Sequence, residues 1–332
     1  MLAGIEIKEV SKLYQGGQNS GISNVSFTFL KGEFIAVIGE SGSGKSTLLK
    51  LIFGLLSPDT GQILFEGTPV PGPDQKLIPG HDRMKMVTQD FSLNTYAKVY
   101  DNIASMLSND DLRFKKERTQ EMMKFLRIDH LSEKRIVELS GGEQQRVAIA
   151  RAIITNPDVL LLDEPFSQID TVLKNELRKD LKRLSRDLGI SIILVSHDPL
   201  DGMSLADKLI ILRKGTIVQE GVPSQVAQNP DSAYVASLLG DANIISANHF
   251  SKIFSNVVVS PDSQIAVYPN HVSIINGGIP GVIKTATYKF LYYEYEICIL
   301  DNLIIKAISE KTDYSIGETV GIEFKHYNIV DP

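Results

Sequence analysis

The sequence predicts an α/β domain followed by a small all-β domain. Three near-continuous apolar runs, FIAVIG from Phe34, VLLLDEP from Val159 and ISIILVSH from Ile190, are typical of strands buried on both faces of a parallel sheet. They alternate with helical patterns as far as about Leu239, so helices are expected to cover the sheet. After Gly240 short alternating runs replace this pattern, which indicates a separate β domain.

Length and composition favour two globular domains. The chain has 332 residues, of which 43% are hydrophobic, enough to bury a large core. Its single cysteine, Cys298, excludes an internal disulfide framework and fits a reducing compartment. No run approaches the roughly 18 apolar residues of a membrane-spanning helix, and the first ten residues lack the layout of a secretory signal, so we expect a soluble intracellular chain. The formal charge of -6 argues against a general nucleic-acid binder.

Changes in composition and hydrophobic pattern along the sequence also suggest domain limits. Within an α/β domain of residues 1–239, about residues 93–140 are rich in charge and helical spacing and hold no convincing strand. We therefore expect a helical subdomain inserted there. Residues 240–332 alternate, as in YEYEICI from Tyr293, with a turn signal at Gly317, and predict a small barrel.

The stretch GESGSGKST, which starts at Gly39, matches the phosphate-binding loop pattern in its required place between a strand and a helix. Small residues let successive backbone N–H groups point inward, and the following helix adds the positive end of its dipole. Lys45 would reach the β and γ phosphates, and the Ser46 hydroxyl would hold Mg²⁺. The predicted phosphate-binding residues are Gly39, Ser41, Gly42, Ser43, Gly44, Lys45, Ser46 and Thr47.

An acidic pair ends the apolar run VLLLDEP. Asp163 would bind Mg²⁺ through water, and Glu164 would polarise the attacking water as general base. Such a pair is often only a solvent-facing strand end. Together with a phosphate loop it indicates a hydrolytic site.

A third motif, LSGGEQQR, precedes the helical run VAIARAII. Ser140 and Glu143 have the spacing of a capping box. A capping box does not explain the two glycines between them, Gly141 and Gly142. The glycines would let the terminal phosphate of a second nucleotide approach the amides at the helix N-terminus.

With these three motifs the sequence closely resembles, over almost its whole length, the ATP-binding subunits of ABC transporters, whose signature is LSGGQ or a near variant. The resemblance implies an α/β P-loop NTPase (ABC ATPase) domain with an inserted helical subdomain, and ATP and Mg²⁺ as cofactors. It also implies a head-to-tail dimer, in which the signature of one copy completes the ATP site of the other.

The resemblance assigns the remaining site residues one at a time. Tyr14, in SKLYQGG, stands where the family has an aromatic that stacks on adenine, with plain packing as the alternative. Gln89, in MVTQDF, matches the glutamine that touches Mg²⁺ and the water, although Thr88 replaces a common phenylalanine. Asp170, in SQID, matches the last residue of a loop assigned to communication between the two sites, usually SALD. His197 matches the histidine that contacts the γ phosphate. The predicted catalytic residues are Glu164, His197, Lys45 and Gln89, and the predicted metal ligands are Ser46, Gln89 and Asp163.

The C-terminal residues resemble the accessory domain of importer subunits that is often called TOBE. The likeness covers AVYPNH from Ala266 and the stretch from Gly281 to Phe324, with Tyr268 where arginine is usual. It implies one small OB/TOBE-like barrel, which binds an effector or serves only in dimerisation. Maltose-type, polyamine, iron(III) and sulfate importers share this layout, so the sequence leaves the solute open.

The resemblance favours the energy-coupling ATPase of an importer over two alternatives. A non-transport ABC ATPase acting on nucleic acid or ribosomes usually carries two cassettes or long coiled-coil insertions, and an exporter ATPase gives no reason for the β domain. An importer subunit implies a second copy of the chain and transmembrane permease subunits as partners, with a periplasmic or lipoprotein solute-binding protein acting indirectly and no nucleic acid. We expect it in the cytoplasm, peripheral on the inner face of the cell membrane.

Overall fold

The computed structural model shows two compact units, each with its own hydrophobic core. The first unit spans Met1–Pro223 and the second Ser224–Pro332; we call them the N-terminal and C-terminal units. No described helix is both long and apolar enough to cross a membrane. The structure describes residues 3–14, 21–167, 169–254, 257, 259–310 and 314–332.

Strands and helices alternate through the N-terminal unit. Its strands are β1 (Ala3–Leu13), β2 (Gly21–Leu30), β3 (Phe34–Ile38), β4 (Thr60–Phe65), β5 (Thr68–Pro69), β6 (Met84–Val87), β7 (Val159–Asp163), β8 (Ser191–Ser196), β9 (Lys208–Arg213) and β10 (Thr216–Gly221). Its α-helices are α1 (Lys45–Phe53), α2 (Val99–Ala104), α3 (Leu112–Phe125), α4 (Gly141–Ile153), α5 (Thr171–Leu188) and α6 (Pro199–Leu205). Short 3₁₀-helices cover Asp129–Leu131 and Ile136–Glu138, and α7 (Pro223–Gln228) begins at the last residue of the unit.

A six-stranded sheet forms the centre of the N-terminal unit, in the order β10-β9-β3-β8-β7-β6. The last five of these strands are parallel, and β10 pairs antiparallel with β9. Every residue of β3 and β8 is buried, as expected for strands covered on both faces. The three strands predicted from the apolar runs are confirmed and lie side by side. Because parallel strands end at one edge, the segments that follow β3, β6, β7 and β8 meet there.

A second sheet, β2-β1-β4-β5, is antiparallel throughout. Along β2 buried and exposed residues alternate, so one face packs on the core through side chains such as Phe27 and Phe29. The sequence alone does not distinguish this sheet from the rest of the α/β domain. The reason is that β1 pairs not only with the next strand, β2, but also with β4, which lies far along the chain, and local patterns do not reveal that second pairing.

The inserted helical subdomain is confirmed. Between β6 and β7 the structure has α2, α3, two 3₁₀-helices and α4, and no strand is assigned in this fully described stretch. Asp111 caps α3 by accepting a hydrogen bond from the backbone N–H of Phe114 at 2.9 Å. Buried Ile103, Met122 and Ile149 supply part of the apolar packing of these helices.

Strands dominate the C-terminal unit, which confirms the predicted β domain. A three-stranded sheet has the order β11-β12-β18, and a five-stranded sheet has the order β13-β17-β14-β15-β16, with antiparallel pairing in both. The edge strands β13 and β16 of the larger sheet contact each other, so this sheet curls. The strands are β11 (Asn243–Ser246), β12 (Gln264–Val267), β13 (Val272–Ile275), β14 (Ile279–Tyr288), β15 (Tyr293–Ile299), β16 (Leu303–Ser309), β17 (Thr319–Phe324) and β18 (Asn328–Val330). The helices are α8 (Ala233–Gly240) and α9 (Ala247–Ile253), with 3₁₀-helices at Pro269–His271 and Leu300–Asn302.

The division between the units lies earlier than the predicted boundary at 239/240. Ala233 and Ala236 of α8 pack with Ala242, Ala266 and Val330 in one small apolar cluster. This helix therefore belongs with the β strands, although its sequence reads as a continuation of the helical patterns before it.

Candidate nucleotide-binding site

A cleft of about 400 Å³ opens where the parallel strands of the N-terminal unit end. Its walls come from the segments after β3, β6, β7 and β8 and from the ends of β1 and β2 that face each other. Four motifs far apart in the sequence therefore meet in one place. Of the residues predicted from sequence, those that line the cleft are Tyr14, Ser41, Gly42, Gly44, Lys45, Ser46, Thr47, Gln89, Glu164 and His197.

Glycine is required at two positions of the loop between β3 and α1. A Cβ on Gly39 would lie 2.1 Å from the carbonyl oxygen of Leu212. Gly44 has φ 102, in the left-handed region, and a Cβ there would lie 2.5 Å from the carbonyl oxygen of Gly21. The backbone can thus approach its neighbours only without side chains. Ser43 in the same loop is buried, and its hydroxyl has no hydrogen-bond partner among the described residues, as expected where a polar ligand is to bind.

Lys45 is the first residue of α1 and is only 6% exposed. Its Nζ donates hydrogen bonds to the carbonyl oxygens of Gly39 and Glu40, both at 2.8 Å, and lies 3.9 Å from Oε1 of Glu164. Burial lowers the pKa of Lys45, and the carboxylates of Glu164, Asp163 and Glu40 partly offset that shift. A positive charge is therefore fixed on the wall of the cleft.

Two oxygen donors meet beside this lysine. The Ser46 hydroxyl donates a hydrogen bond of 3.0 Å to Oδ1 of Asp163, the last residue of β7. Burial raises the pKa of Asp163, while the bond from Ser46 and the charges of Lys50 and Lys45 oppose the shift. The Ser46 hydroxyl and the amide of Gln89 line the same cleft, and Asp163 is bound to Ser46. Together these side chains supply the oxygen donors that suit Mg²⁺.

Glu164 and His197 form the second polar pair of the cleft. Nδ1 of His197 lies 2.7 Å from Oε2 of Glu164, within hydrogen-bonding distance. Glu164 has φ 50, a left-handed conformation that is strained for a residue with a side chain. Its backbone N–H donates to the carbonyl oxygen of Val195 at 3.0 Å, which ties the strained turn to β8. A carboxylate with a histidine partner beside it can act as a general base towards water.

The segment after β6 carries Gln89 and is fixed by a residue that the sequence analysis missed. Phe91 and Ser92 both have positive φ, 59 and 47 respectively. Arg151 of α4 donates hydrogen bonds to their carbonyl oxygens, at 3.0 Å and 2.8 Å. The arginine in the apolar run VAIARAII could have indicated this role, because a charged side chain within a buried helix rarely lacks partners. Arg151 thus connects the segment of Gln89 to the helix that starts after Ser140.

The motif around Ser140 lies outside the cleft of its own chain. Ser140 and Glu143 form the capping box that their spacing predicts: the N–H of Ser140 donates to Oε2 of Glu143 at 2.8 Å, and Oγ of Ser140 accepts from the N–H of Glu143 at 3.4 Å. Gly141 and Gly142 occupy the first turn of α4. A Cβ on Gly142 would lie 3.3 Å from a methyl group of Leu173.

Asp170 has a local role as the cap of α5 and also lies outside the cleft. Its Oδ1 accepts hydrogen bonds from the N–H groups of Val172 and Leu173, both at 3.1 Å. Gln168, in the same predicted loop, lies outside the described residues. Tyr14, in contrast, lines the cleft at the end of β1 and is 43% exposed.

A phosphate loop, an acidic strand end and a carboxylate–histidine pair, all at one edge of a parallel sheet, define a P-loop nucleoside triphosphatase. Comparison with known proteins narrows this class. A family model described as ABC transporter matches residues 22–167.

Curated relatives match almost the whole chain. The spermidine/putrescine import ATP-binding protein PotA of Mycoplasma capricolum is 33% identical, over 98% of this chain and 96% of the relative. The protein of the same name from Clostridium acetobutylicum is 31% identical, over 96% and 93%.

Solved structures agree with this assignment. A structure of cbiO1 from Clostridium perfringens, part of the ABC transporter complex cbiONQ, is 30% identical with a TM-score of 0.62 and covers 68% of this chain and 91% of that one. A dimeric post-hydrolysis structure of the ATP-binding cassette MJ0796 with ADP and Pi is 26% identical, with a TM-score of 0.57 over 66% and 98%.

The chain belongs to the ABC transporter family. It is the ATP-binding subunit of an importer, and it hydrolyses ATP. The comparisons do not favour the alternatives of a nucleic-acid or ribosome ATPase and of an exporter ATPase.

Proposed function

We propose that this chain hydrolyses Mg²⁺-ATP in the cleft around Lys45 to drive the import of a polyamine. The observation that supports the chemistry best is that Lys45, Ser46 and the Glu164–His197 pair line one cleft, with Asp163 bound to the Ser46 hydroxyl behind it. Phosphoryl transfer to water needs positioning and charge neutralisation more than covalent catalysis, and this arrangement supplies both.

Each side chain has a defined task in this proposal. Lys45 and the loop amides bind the β and γ phosphates, and Tyr14 stacks on the adenine. Glu164 takes a proton from the attacking water, and His197 holds Glu164 and contacts the γ phosphate. Ser46, Asp163 and Gln89 hold Mg²⁺, which neutralises charge on the phosphate oxygens when bound.

The second half of each site comes from the partner copy. The Ser140 motif does not line the cleft of its own chain, and it forms the N-terminus of a 13-residue helix with two glycines in its first turn. Such an N-terminus attracts phosphate. We propose that the backbone amides of this N-terminus bind the γ phosphate held by the other copy, with Asp170 nearby, in the head-to-tail dimer. The dimeric MJ0796 structure with ADP and Pi supports this arrangement.

The relatives support the choice of solute. Proteins named as spermidine/putrescine import ATP-binding proteins match this chain at 31–33% identity over nearly its full length. We therefore propose permeases for polyamines as the membrane partners, a solute-binding protein that delivers the polyamine, and a position on the cytoplasmic face of the membrane.

The test is reconstitution with the membrane partners in liposomes. Spermidine or putrescine with the solute-binding protein should raise ATP hydrolysis severalfold, whereas maltose or sulfate should not. Uptake of labelled spermidine should require ATP inside the compartment that holds this chain. Stimulation by sulfate or maltose and none by polyamines would overturn the solute assignment while leaving the ATPase assignment intact.

The metal site gives a further prediction. Ser46→Ala removes the hydroxyl that lies 3.0 Å from Asp163. We expect the Mg²⁺ concentration for half-maximal ATP hydrolysis to rise about 10- to 100-fold, as for the loss of other groups that hold a metal in place. Ser185→Ala, on α5 and away from the cleft, is the control. An unchanged Mg²⁺ titration for Ser46→Ala would remove Ser46 from the metal site.

A further inference from the structure

A buried carboxylate lies behind His197 and takes no part in the cleft. Asp201, on α6, is 1% exposed and does not line the cleft. Two N–H groups of Arg178 on α5, Nε and Nη2, donate to its Oδ1 at 3.1 Å and 2.5 Å. Its other oxygen, Oδ2, accepts a hydrogen bond of 2.7 Å from the hydroxyl of Ser196. Asp201 therefore joins α5 to the end of β8.

The hydroxyl of Ser196 continues this connection across His197. Ser196 is the last residue of β8 and is buried, and its Oγ also accepts a hydrogen bond from the backbone N–H of Asp198 at 3.0 Å. The hydroxyl of Ser196, the residue before His197, is thus bound to the backbone of Asp198, the residue after it. Asp198 in turn caps α6, because its Oδ1 accepts from the N–H of Leu200 at 3.0 Å.

The helix that carries Asp201 is itself pressed against the sheet. A Cβ on Gly202 would lie 2.6 Å from a methyl group of Leu209 and 3.1 Å from Cβ of Ala36 on β3. The backbone of α6 at Gly202 therefore packs against the sheet with no room for a side chain. Asp201, the residue before Gly202, has little freedom to move. The carboxylate is therefore a rigid anchor.

Arg178 also contacts the segment that follows Glu164. Its guanidinium lies 5.4 Å from the ring centroid of Phe166, a residue that is 2% exposed. Arg178 thus contacts the segment after Glu164 directly, through Phe166. It contacts the segment that carries His197 through Asp201. A buried ion pair is a weak source of net stability, so its use here is better explained by the geometry that it fixes.

We propose that Arg178 and Asp201 are positioning residues for ATP hydrolysis, which hold His197 at hydrogen-bonding distance from Glu164 through the Ser196 hydroxyl. This inference rests on the proposed roles of Glu164 and His197. Neither positioning residue lines the cleft, and they act only through the backbone on either side of His197. Their loss lowers the rate of the chemical step and leaves nucleotide binding unchanged.

The test is a set of conservative variants assayed for kcat and for the Kd of a non-hydrolysable ATP analogue. Asp201→Asn keeps the shape but removes the charge, and Ser196→Ala removes only the connecting hydroxyl. We expect each to lower kcat about 10- to 100-fold with a Kd within twofold of the unmodified chain, the usual effect of misplacing a catalytic group by a fraction of an ångström to an ångström. Asp187→Asn, on the exposed part of α5, is the matched control and should change neither quantity. If Asp201→Asn does not fold, Ser196→Ala decides the question.

A double-mutant cycle separates positioning from general destabilisation. In a His197→Ala background, Asp201→Asn and Ser196→Ala should lower kcat less than twofold further, because the group that they position is gone. An equal loss of kcat in both backgrounds, or no loss in the unmodified chain, would overturn the inference. Full turnover by His197→Ala alone would instead contradict the proposed role of His197.

Discussion

Glu164→Gln is expected to leave ATP binding intact and to lower hydrolysis by about 10²- to 10⁴-fold, the range that general base catalysis contributes. The amide keeps the size of the carboxylate but cannot accept the proton of the attacking water. Phosphate release under steady-state conditions and equilibrium binding of ATP measure the two quantities separately.

The same variant should accumulate as an ATP-bound dimer, because the step that normally ends the dimeric state is blocked. Gel filtration with and without Mg²⁺-ATP detects this change. Glu121→Gln, an exposed residue of α3, is the control and should turn over normally and return to the unbound state. Rapid steady-state hydrolysis by Glu164→Gln would show that another group acts as the base.

The strained backbone of Glu164 gives a reason for this sensitivity. A residue with φ 50 at the end of β7 is held there by the bond to Val195, and Oε2 is 2.7 Å from His197. Strain of this kind persists where the surrounding structure imposes it, and it is common at catalytic sites. The turn directs the carboxylate towards the cleft.

The predictable parts of the site are those whose residues lie close together in the sequence. The loop around Lys45 and the acidic pair at Asp163 each follow a buried apolar run, and the parallel order of β3, β8 and β7 brings them together. The capping box of Ser140 was also visible, since its two partners are three residues apart. Local chemistry and sheet topology together therefore predict most of the cleft.

The parts that escaped prediction depend on contacts between distant segments. Arg151 holds the carbonyl of Ser92 across 59 residues of chain, and Arg178 meets Asp201 across 23. Nothing in the local pattern of either arginine shows its partner. The antiparallel sheet was missed because β1 pairs with the distant β4. The packing of α8 with strands that follow it was likewise not visible in its own sequence.

The proposed phosphate-binding role of Lys45 predicts the second large effect. Lys45→Ala removes a charge that burial and two carbonyl bonds fix on the wall of the cleft. A hydrogen bond to a charged group contributes about 1.5–3 kcal/mol, which corresponds to a loss of about 10- to 150-fold in ATP affinity. Loss of a preorganised donor to the transferred phosphoryl group should lower kcat by a further 10²- to 10³-fold or so.

Calorimetric titration with ATP and with ADP identifies which phosphate Lys45 binds. If Nζ reaches the γ phosphate as well as the β phosphate, the variant should lose more affinity for ATP than for ADP, whereas a merely structural lysine would weaken both equally or neither. Lys182→Ala, an exposed lysine of α5, controls for a general loss of positive charge. Because Lys45 also lies 3.9 Å from Glu164, its loss should remove a positive charge beside that carboxylate, so the variant should not recover turnover even at saturating ATP. Unchanged ATP affinity with normal turnover would place the nucleotide elsewhere and remove the basis for every role assigned to the cleft.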